Sequence, residues 1–326
     1  MRAIQLTQFG APQGFTVADL PNPALGLGQV AIDVTHAAVG LIDVYLRQGL
    51  YAGVPGMPQV PYVPGLEVAG TVRALGEGVT GFRVGERVVA MSADATGGYA
   101  SIYVADQWRV ISTEGYCIDP ALAVAVVPNA VMAHVALTGP IRLNDGENVL
   151  VHGALGALAA AFPGIARRLG ASRVVGTVRG DKIAAAAASR LPYDAVVDSA
   201  QLPDALDGEK FDVIIDPVGG ELRTHSLNLL KPSGRLLVVG NASGDWGHGV
   251  DGNQIWQTNV VVAGFNAGAW LPSHPEAIRS AAEAALLTVA AGQADTELDV
   301  LPLTEAATAH RRLEDRSATG RLVLAV

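Results

Sequence analysis

Two textures of hydrophobic pattern divide the chain. Up to about residue 110 the apolar positions come in short runs cut off by Gly and Pro, such as Val30-Ala31-Ile32-Asp33-Val34, Val68-Ala69-Gly70-Thr71-Val72 and Arg87-Val88-Val89-Ala90. Runs of this kind bounded by turn formers predict strands, and the region reads as all-β. Pro55, Pro58, Pro61 and Pro64 stud residues 52–65. Fixed φ angles and missing donors exclude regular structure there and predict a rigid surface loop. Residues 79–89 read as a turn followed by a strand.

From about Pro120 the texture changes. Residues 121–127 and 131–137 are rich in Ala and predict helix. Apolar runs then alternate with helical stretches: strands at 149–151, 173–178, 195–197, 211–216, 234–240 and 259–265, and helices at 158–169, 182–190 and after 220. Strands spaced by helices predict an α/β fold with a parallel, doubly wound sheet. The tail predicts a helix over 275–292, a strand at 300–303, a helix over 305–313 and a closing strand at 321–326.

The strand at 149–151 leads into Gly153-x-x-Gly156-x-x-Ala159 and a helix beginning near Leu158. Strand, tight small-residue turn and helix form the first half of a nucleotide-binding βαβ unit. Small residues let the backbone approach a pyrophosphate, and the helix start offers free N–H groups. A reader of NAD carries an acid about 20 residues beyond the glycines, on the ribose hydroxyls. The second strand here closes as Gly176-Thr177-Val178-Arg179-Gly180-Asp181-Lys182. A guanidinium and an ammonium suit a 2′-phosphate, although Asp181 stands between them. NADPH is therefore the expected cofactor, with Gly153, Gly156, Ala157, Leu158, Thr177, Arg179 and Lys182 along it.

Composition narrows the partners. The chain has 326 residues, half of them hydrophobic, and a net charge of −9, which argues against nucleic acid and anionic membrane. Cys117 is the single cysteine, which excludes a disulfide framework and a multi-cysteine zinc site. The first residues already alternate like a strand, so no signal peptide is expected, and no uncharged apolar run reads as long enough to cross a bilayer. A cytoplasmic protein with a small-molecule substrate is expected.

Several segments carry a family resemblance. Val63-Pro64-Gly65-Leu66-Glu67-Val68-Ala69-Gly70-Thr71-Val72 resembles the Pro-Gly-x-Glu-x-x-Gly-x-Val signature of the medium-chain dehydrogenase/reductase superfamily. Val84-Gly85-Glu86-Arg87-Val88 is similar to its Gly-Asp-Arg-Val, and 43–51 to its Asp-x-x-x-Arg-x-Gly-x-Tyr. Asp216-Pro217-Val218-Gly219-Gly220 is similar to its Asp-x-Val-Gly-Gly turn, and Thr319-Gly320-Arg321-Leu322-Val323-Leu324 to its closing Thr-Gly-Lys-x-Val-Leu strand. Five signatures in order point to the zinc-free quinone-oxidoreductase and enoyl-reductase branch. The resemblance implies a GroES-like β domain over 1–120, a Rossmann domain over 121–266 and a return to the first domain over 267–326.

It also implies chemistry. Gly40 and Leu66 stand where the zinc-dependent branch has a Cys and a His, so no metal is expected; His36, Glu67, His134 and His152 have no ligand spacing. Without a Lewis acid, hydride transfer to a polarised C=C or a quinone fits better than alcohol oxidation. Gly219, Gly240, Asn241, Phe265 and Asn266 would continue the cofactor site, Asn241 with turn chemistry as its alternative. Enoyl reductases of this branch often carry a tyrosine where Tyr51 stands, giving either a proton donor or a packed loop residue. Tyr45 would wall the cleft, and Asp43 would contact substrate or cap a turn. Met132 and His134 replace a Thr and a Tyr. Trp246, Trp256 and Trp270 either line a pocket for a flat or greasy substrate or pack at hinge and interface. Relatives pair the sheet edge at 259–265 as two-fold dimers, so a homodimer is expected. The functional expectation is NADPH-dependent reduction of an enone or quinone. Its alternative is a degenerate member with a non-redox or purely binding role, which Gly40, Met132, Ala157 and Ala159 keep open.

Overall fold

A computed structural model of the chain describes residues 1–92, 96–294, 296–318 and 320–326. Thr319 of the closing signature lies outside the described residues. The chain separates into two compact units. The first comprises Met1–Pro128, Pro275–Ala282 and Thr296–Val326, the second Asn129–His274 and Glu283–Asp295. The divisions expected at 120/121 and 266/267 stand against 128/129 and 274/275 in the structure.

In the first unit, β1 (Arg2–Leu6) pairs antiparallel with β2 (Phe15–Asp19). A larger sheet is built from β3 (Gln29–Val39), β4 (Glu67–Leu75), β5 (Arg87–Met91), β6 (Ile102–Asp106) and β7 (Val110–Ser112). Its core is the apolar side of those strands: Val30, Ile32, Val34, Val68, Val72 and Val88 pack with Ile4 and Tyr99. The all-β reading is corrected at α1 (Leu41–Gln48). Asp43 Oδ2 accepts the Gly40 N–H at 2.8 Å, which caps the helix start, and Gly49 at φ +81° ends it. Arg47 of α1 is fully buried, where it bonds to the Gly10 carbonyl, Glu314 and His310.

A long helix, α2 (Pro120–Thr138), leads out of the first unit. Asp119 Oδ1 accepts the Ala121 N–H at 2.8 Å, and Pro120 occupies the first turn, where its missing donor costs nothing. The two helical pieces read from sequence are one helix with Pro128 inside it. Apolar side chains on every face, and burial of most of them, outweigh the lost bond. This also corrects the membrane reading. By length and composition α2 is apolar enough to span a bilayer, and it lies mostly buried inside the protein as a core helix.

The second unit alternates strand and helix: β8 (Asn148–His152), α3 (Phe162–Arg168), β9 (Arg173–Val178), α4 (Ile183–Ala188), β10 (Ala195–Asp198), β11 (Phe211–Asp216), α5 (Glu221–Ser226), β12 (Leu230–Val238), α6 (Gly252–Thr258), β13 (Val261–Gly264) and α7 (Ala267–Trp270). The strands are parallel in the order β10-β9-β8-β11-β12-β13. Strands enclosed on both faces explain the continuous apolar runs: Leu150, Val175, Ile214 and Leu236 are at 0% exposure. The chain winds outward from β8 in one direction and from β11 in the other. The fold therefore has its topological switch between β8 and β11, and such sheets bind ligands beyond the C-terminal strand ends at that point. After α8 (Glu276–Ala290), the chain forms β14 (Leu298–Pro302), α9 (Ala306–Glu314) and β15 (Arg321–Ala325), with β15 antiparallel to β3.

Candidate functional site

The turn after β8 rests on a neutral histidine. His152 is fully buried; its Nε2 is 2.9 Å from Ser226 Oγ and its Nδ1 3.0 Å from Thr177 Oγ1. Ser226 donates to the Leu222 carbonyl at 2.6 Å, so it accepts from Nε2–H, and Nδ1 accepts from Thr177. Burial pushes the imidazole down to about 4, which keeps it uncharged at neutral pH. The expectation for Thr177 is corrected accordingly. Its hydroxyl is committed to His152 inside the core, and only its carbonyl reaches the turn, accepting from Ala154 N–H at 2.8 Å.

Gly153 opens the turn at φ +65°, and Gly156 N–H donates to its carbonyl at 2.7 Å. Gly156 and Ala157 are exposed at the tip, Leu158 is half-buried and Ala159 is buried. The single helix expected over 158–169 is a 3₁₀ turn at Ala159–Ala161 followed by α3, because Pro163 is restricted to the first helical turn. Arg179, at the end of β9, is exposed and lies 3.2 Å from Asp181, itself exposed. Lys182 ends a 3₁₀ turn before α4. Sequence reasoning missed Asp198, whose carboxylate at the end of β10 lies against Gly180 and caps Ala200 N–H. The acid expected on β9 of an NAD reader is absent there, but one stands on the neighbouring strand.

The turns after β11 and β12 are tied together. Asp216 is fully buried; Oδ1 accepts from Val218 N–H at 2.9 Å and Gly219 N–H at 2.7 Å, and Oδ2 accepts from Arg223 Nε at 2.6 Å. Arg223 also donates to the Gly240 carbonyl at 2.6 Å. Gly219 has φ +75°, and a Cβ there would collide with Asn241 Oδ1, so only glycine fits. Asn241 is 9% exposed, and its Nδ2 has no hydrogen-bond partner among the described residues. The two switch-point turns meet, since a Cβ on Gly153 would lie 3.1 Å from Val218 Cγ2.

Other expected residues have structural employment. Phe265 is buried and meets Trp270 edge-on at 5.8 Å, and Asn266 caps α7 by accepting from Gly268 N–H at 3.0 Å. Trp270 stacks on His274 at 3.9 Å. Trp246 and Trp256 are 72% and 75% exposed. Met132 and His134 are half-buried on α2, and burial lowers the His134 pKa. A cavity of about 490 Å³ lies over Val175, Ala195 and Val197, by the N-terminal end of β9 rather than at the switch point.

In the first unit, Asp43 is 2% exposed, which corrects its role as a substrate contact: it is a buried cap. Desolvation, reinforced by the charge of Glu67, pushes its carboxyl up to about 7. Glu67 pairs with Arg321, both buried. Tyr45 within α1 and Tyr51 just beyond it stand half-buried; burial, and then the nearness of Tyr51, raises the Tyr45 pKa. No group of three or more His, Cys, Asp or Glu side chains among the described residues is placed to hold a metal ion.

Comparison with known proteins places this geometry. Residues 26–115 match the family model of the alcohol dehydrogenase GroES-like domain, and residues 191–324 that of a zinc-binding dehydrogenase. The quinone oxidoreductase of Pseudomonas aeruginosa is 30% identical over 331 residues, covering 99% of each chain. The chain belongs to the quinone oxidoreductase branch of the medium-chain dehydrogenases/reductases. Among its relatives in this family of oxidoreductases, a human synaptic vesicle membrane protein VAT-1 homolog is 26% identical over 349 residues, covering 99% of this chain and 86% of that one. A mycobacterial structure complexed with NADPH superposes with a TM-score of 0.83 at 28% identity, covering 100% of both chains.

Proposed function

We propose that this protein reduces the activated C=C of an α,β-unsaturated carbonyl, or a quinone, with NADPH and without a metal ion. The observation that carries the reading is the unpaired Nδ2 of Asn241. A buried amide donor without a partner costs about 1–3 kcal/mol. Here it follows β12 and packs against Gly219 of the turn after β11, beside the switch point where an open α/β sheet receives its ligand, and a nicotinamide carboxamide supplies the missing acceptor. Gly156 and Ala157 would face the pyrophosphate, and Arg179 and Lys182 the 2′-phosphate.

A bound NADPH would supply the hydride. The protein's part is to orient the acceptor and deliver a proton, for which Tyr51 is the candidate, with Tyr45 beside it. The lone cysteine and the lack of a clustered donor set among the described residues support metal independence. The test is to incubate purified protein with NADPH and a panel of enones and quinones while following NADPH absorbance, with and without chelator. Turnover of at least one acceptor, unchanged by chelator, is expected. NADPH binding with no turnover across the panel would overturn the redox reading in favour of a binding role, and loss of rate on chelation would overturn metal independence.

A further inference from the structure

We propose that Tyr193 is a positioning residue that fixes the turn between β8 and α3 in the shape that receives the NADPH pyrophosphate. This rests on the cofactor reading above. The turn is poor in glycine, with Ala157 and Ala159 adding methyl groups, so its shape needs support from outside. Tyr193 precedes β10, on the far side of β9 from β8. Its ring crosses β9 at Gly176: a Cβ there would lie 3.2 and 3.3 Å from two ring carbons and 2.6 Å from Ala154 Cβ. A side chain at 176 would collide with Ala154 and crowd the ring.

The hydroxyl reaches the turn itself. It donates toward the Ala154 carbonyl at 3.2 Å and the Ala159 carbonyl at 3.3 Å. Those two carbonyls bracket the exposed tip at Gly156 and Ala157. One proton is shared between both ends of the turn, so a change in the spacing of the ends breaks the arrangement. Burial of the hydroxyl raises its pKa, and it stays a donor at every working pH. The same ring packs with Leu155, Ile183 and Val196 against Ala154, Val178 and Ala186, which joins the turn to α4. A residue meant only to fill this space needs no hydroxyl aimed at two carbonyls.

The test is Tyr193→Phe, which keeps the ring and removes the donor. Binding is measured by calorimetry for NADPH, for ADP-ribose, which carries a pyrophosphate but no 2′-phosphate, and for adenosine 2′-monophosphate, which carries no pyrophosphate. The expected result is a loss of about tenfold for NADPH and ADP-ribose, the size of one buried hydrogen bond, with adenosine 2′-monophosphate unchanged. 4-Aminophenylalanine at 193 restores a donor and should restore both affinities, which also covers a Phe variant that fails to fold. Unchanged NADPH and ADP-ribose binding in folded Tyr193→Phe, equal losses for all three ligands, or a folded amino variant that binds weakly would overturn the proposal. Wild-type protein that binds neither NADPH nor ADP-ribose would overturn the cofactor reading itself, a result distinct from any of these.

Discussion

The guanidinium of Arg223 holds the buried carboxylate of Asp216 at 2.6 Å and, with its other arm, the carbonyl of Gly240. One side chain thus fastens the turn after β11 to the turn after β12. Breaking a buried pair by removing one partner leaves an uncompensated charge and costs about 3–5 kcal/mol. Asp216 keeps two backbone N–H donors at Oδ1, which places Arg223→Ala near the lower end. Urea unfolding should show a loss of about 3 kcal/mol. A loss under about 1 kcal/mol, the value of an exposed pair, would show that the link contributes little.

Asp43 gives stability a pH dependence. Its carboxyl sits at about 7 in the folded chain against an ordinary 3.8. The native state therefore keeps a proton that the unfolded chain releases. Stability from this group is full below about pH 4 and is lost as the pH rises through about 7, by up to about 4 kcal/mol. Glu67 raises this carboxyl and Arg321 lowers it, and the hydroxyls of Tyr62 and Tyr99 stand near it. Asp43→Asn should flatten the profile between pH 4 and 7 in urea titrations. A variant with the wild-type slope would assign the dependence to another group.

Arg179 is held by Asp181 at the surface, which makes a distinctive double prediction. Arg179→Ala should weaken NADPH by about 1–3 kcal/mol, the range for a bond to a charged group, and leave NADH nearly unchanged. Asp181→Asn should tighten NADPH by freeing the guanidinium. Fluorescence titration of both cofactors against both variants checks it; equal losses for NADPH and NADH would show that Arg179 does not read the phosphate.

Tyr51→Phe should lower turnover by about 10²–10⁴-fold if the hydroxyl is the general acid. The substrate KM should move little, because an interaction made in the transition state is removed. Reduction in D₂O separates this from solvent protonation, which would keep the rate and scramble configuration at the α-carbon. Full rate with unchanged stereochemistry would take Tyr51 out of the mechanism.

At the end of the second sheet, β13 pairs with β12 and leaves Val261 half exposed. A strand edge of that kind invites a partner strand, and a homodimer is expected by light scattering at micromolar concentration. Val261→Glu should shift the mass toward the monomer. A monomeric wild type would remove the dimer.

Much of the fold is legible because burial on both faces writes itself as apolar runs. The strand at 211–216 coincides with β11, and 173–178 with β9. What hid was polar and inward-pointing. α1 begins at a glycine capped by an acid three residues on and buries Asp43 and Arg47, so its pattern does not look like an apolar helical face. Pro128 split α2 in the reading, whereas packing holds it whole. At the site, the motif glycines were visible because positive φ restricts the residue type. Asn241 stood out only through the resemblance. Arg223, Asp198 and Tyr193 act across the sheet, and sequence distance conceals such partners. Thr177 misled because strand ends look alike whether a hydroxyl turns toward a ligand or into a buried histidine.

The crossing of Tyr193 over Gly176 has an evolutionary corollary. Positions that share one volume cannot drift independently. A lineage that gains a methyl at 176 must move Ala154, which that methyl would meet at 2.6 Å, and crowd the ring at 193, so the three positions are tied to one volume. Among descendants of this chain they should change together, and where the ring is gone the turn should have regained glycine.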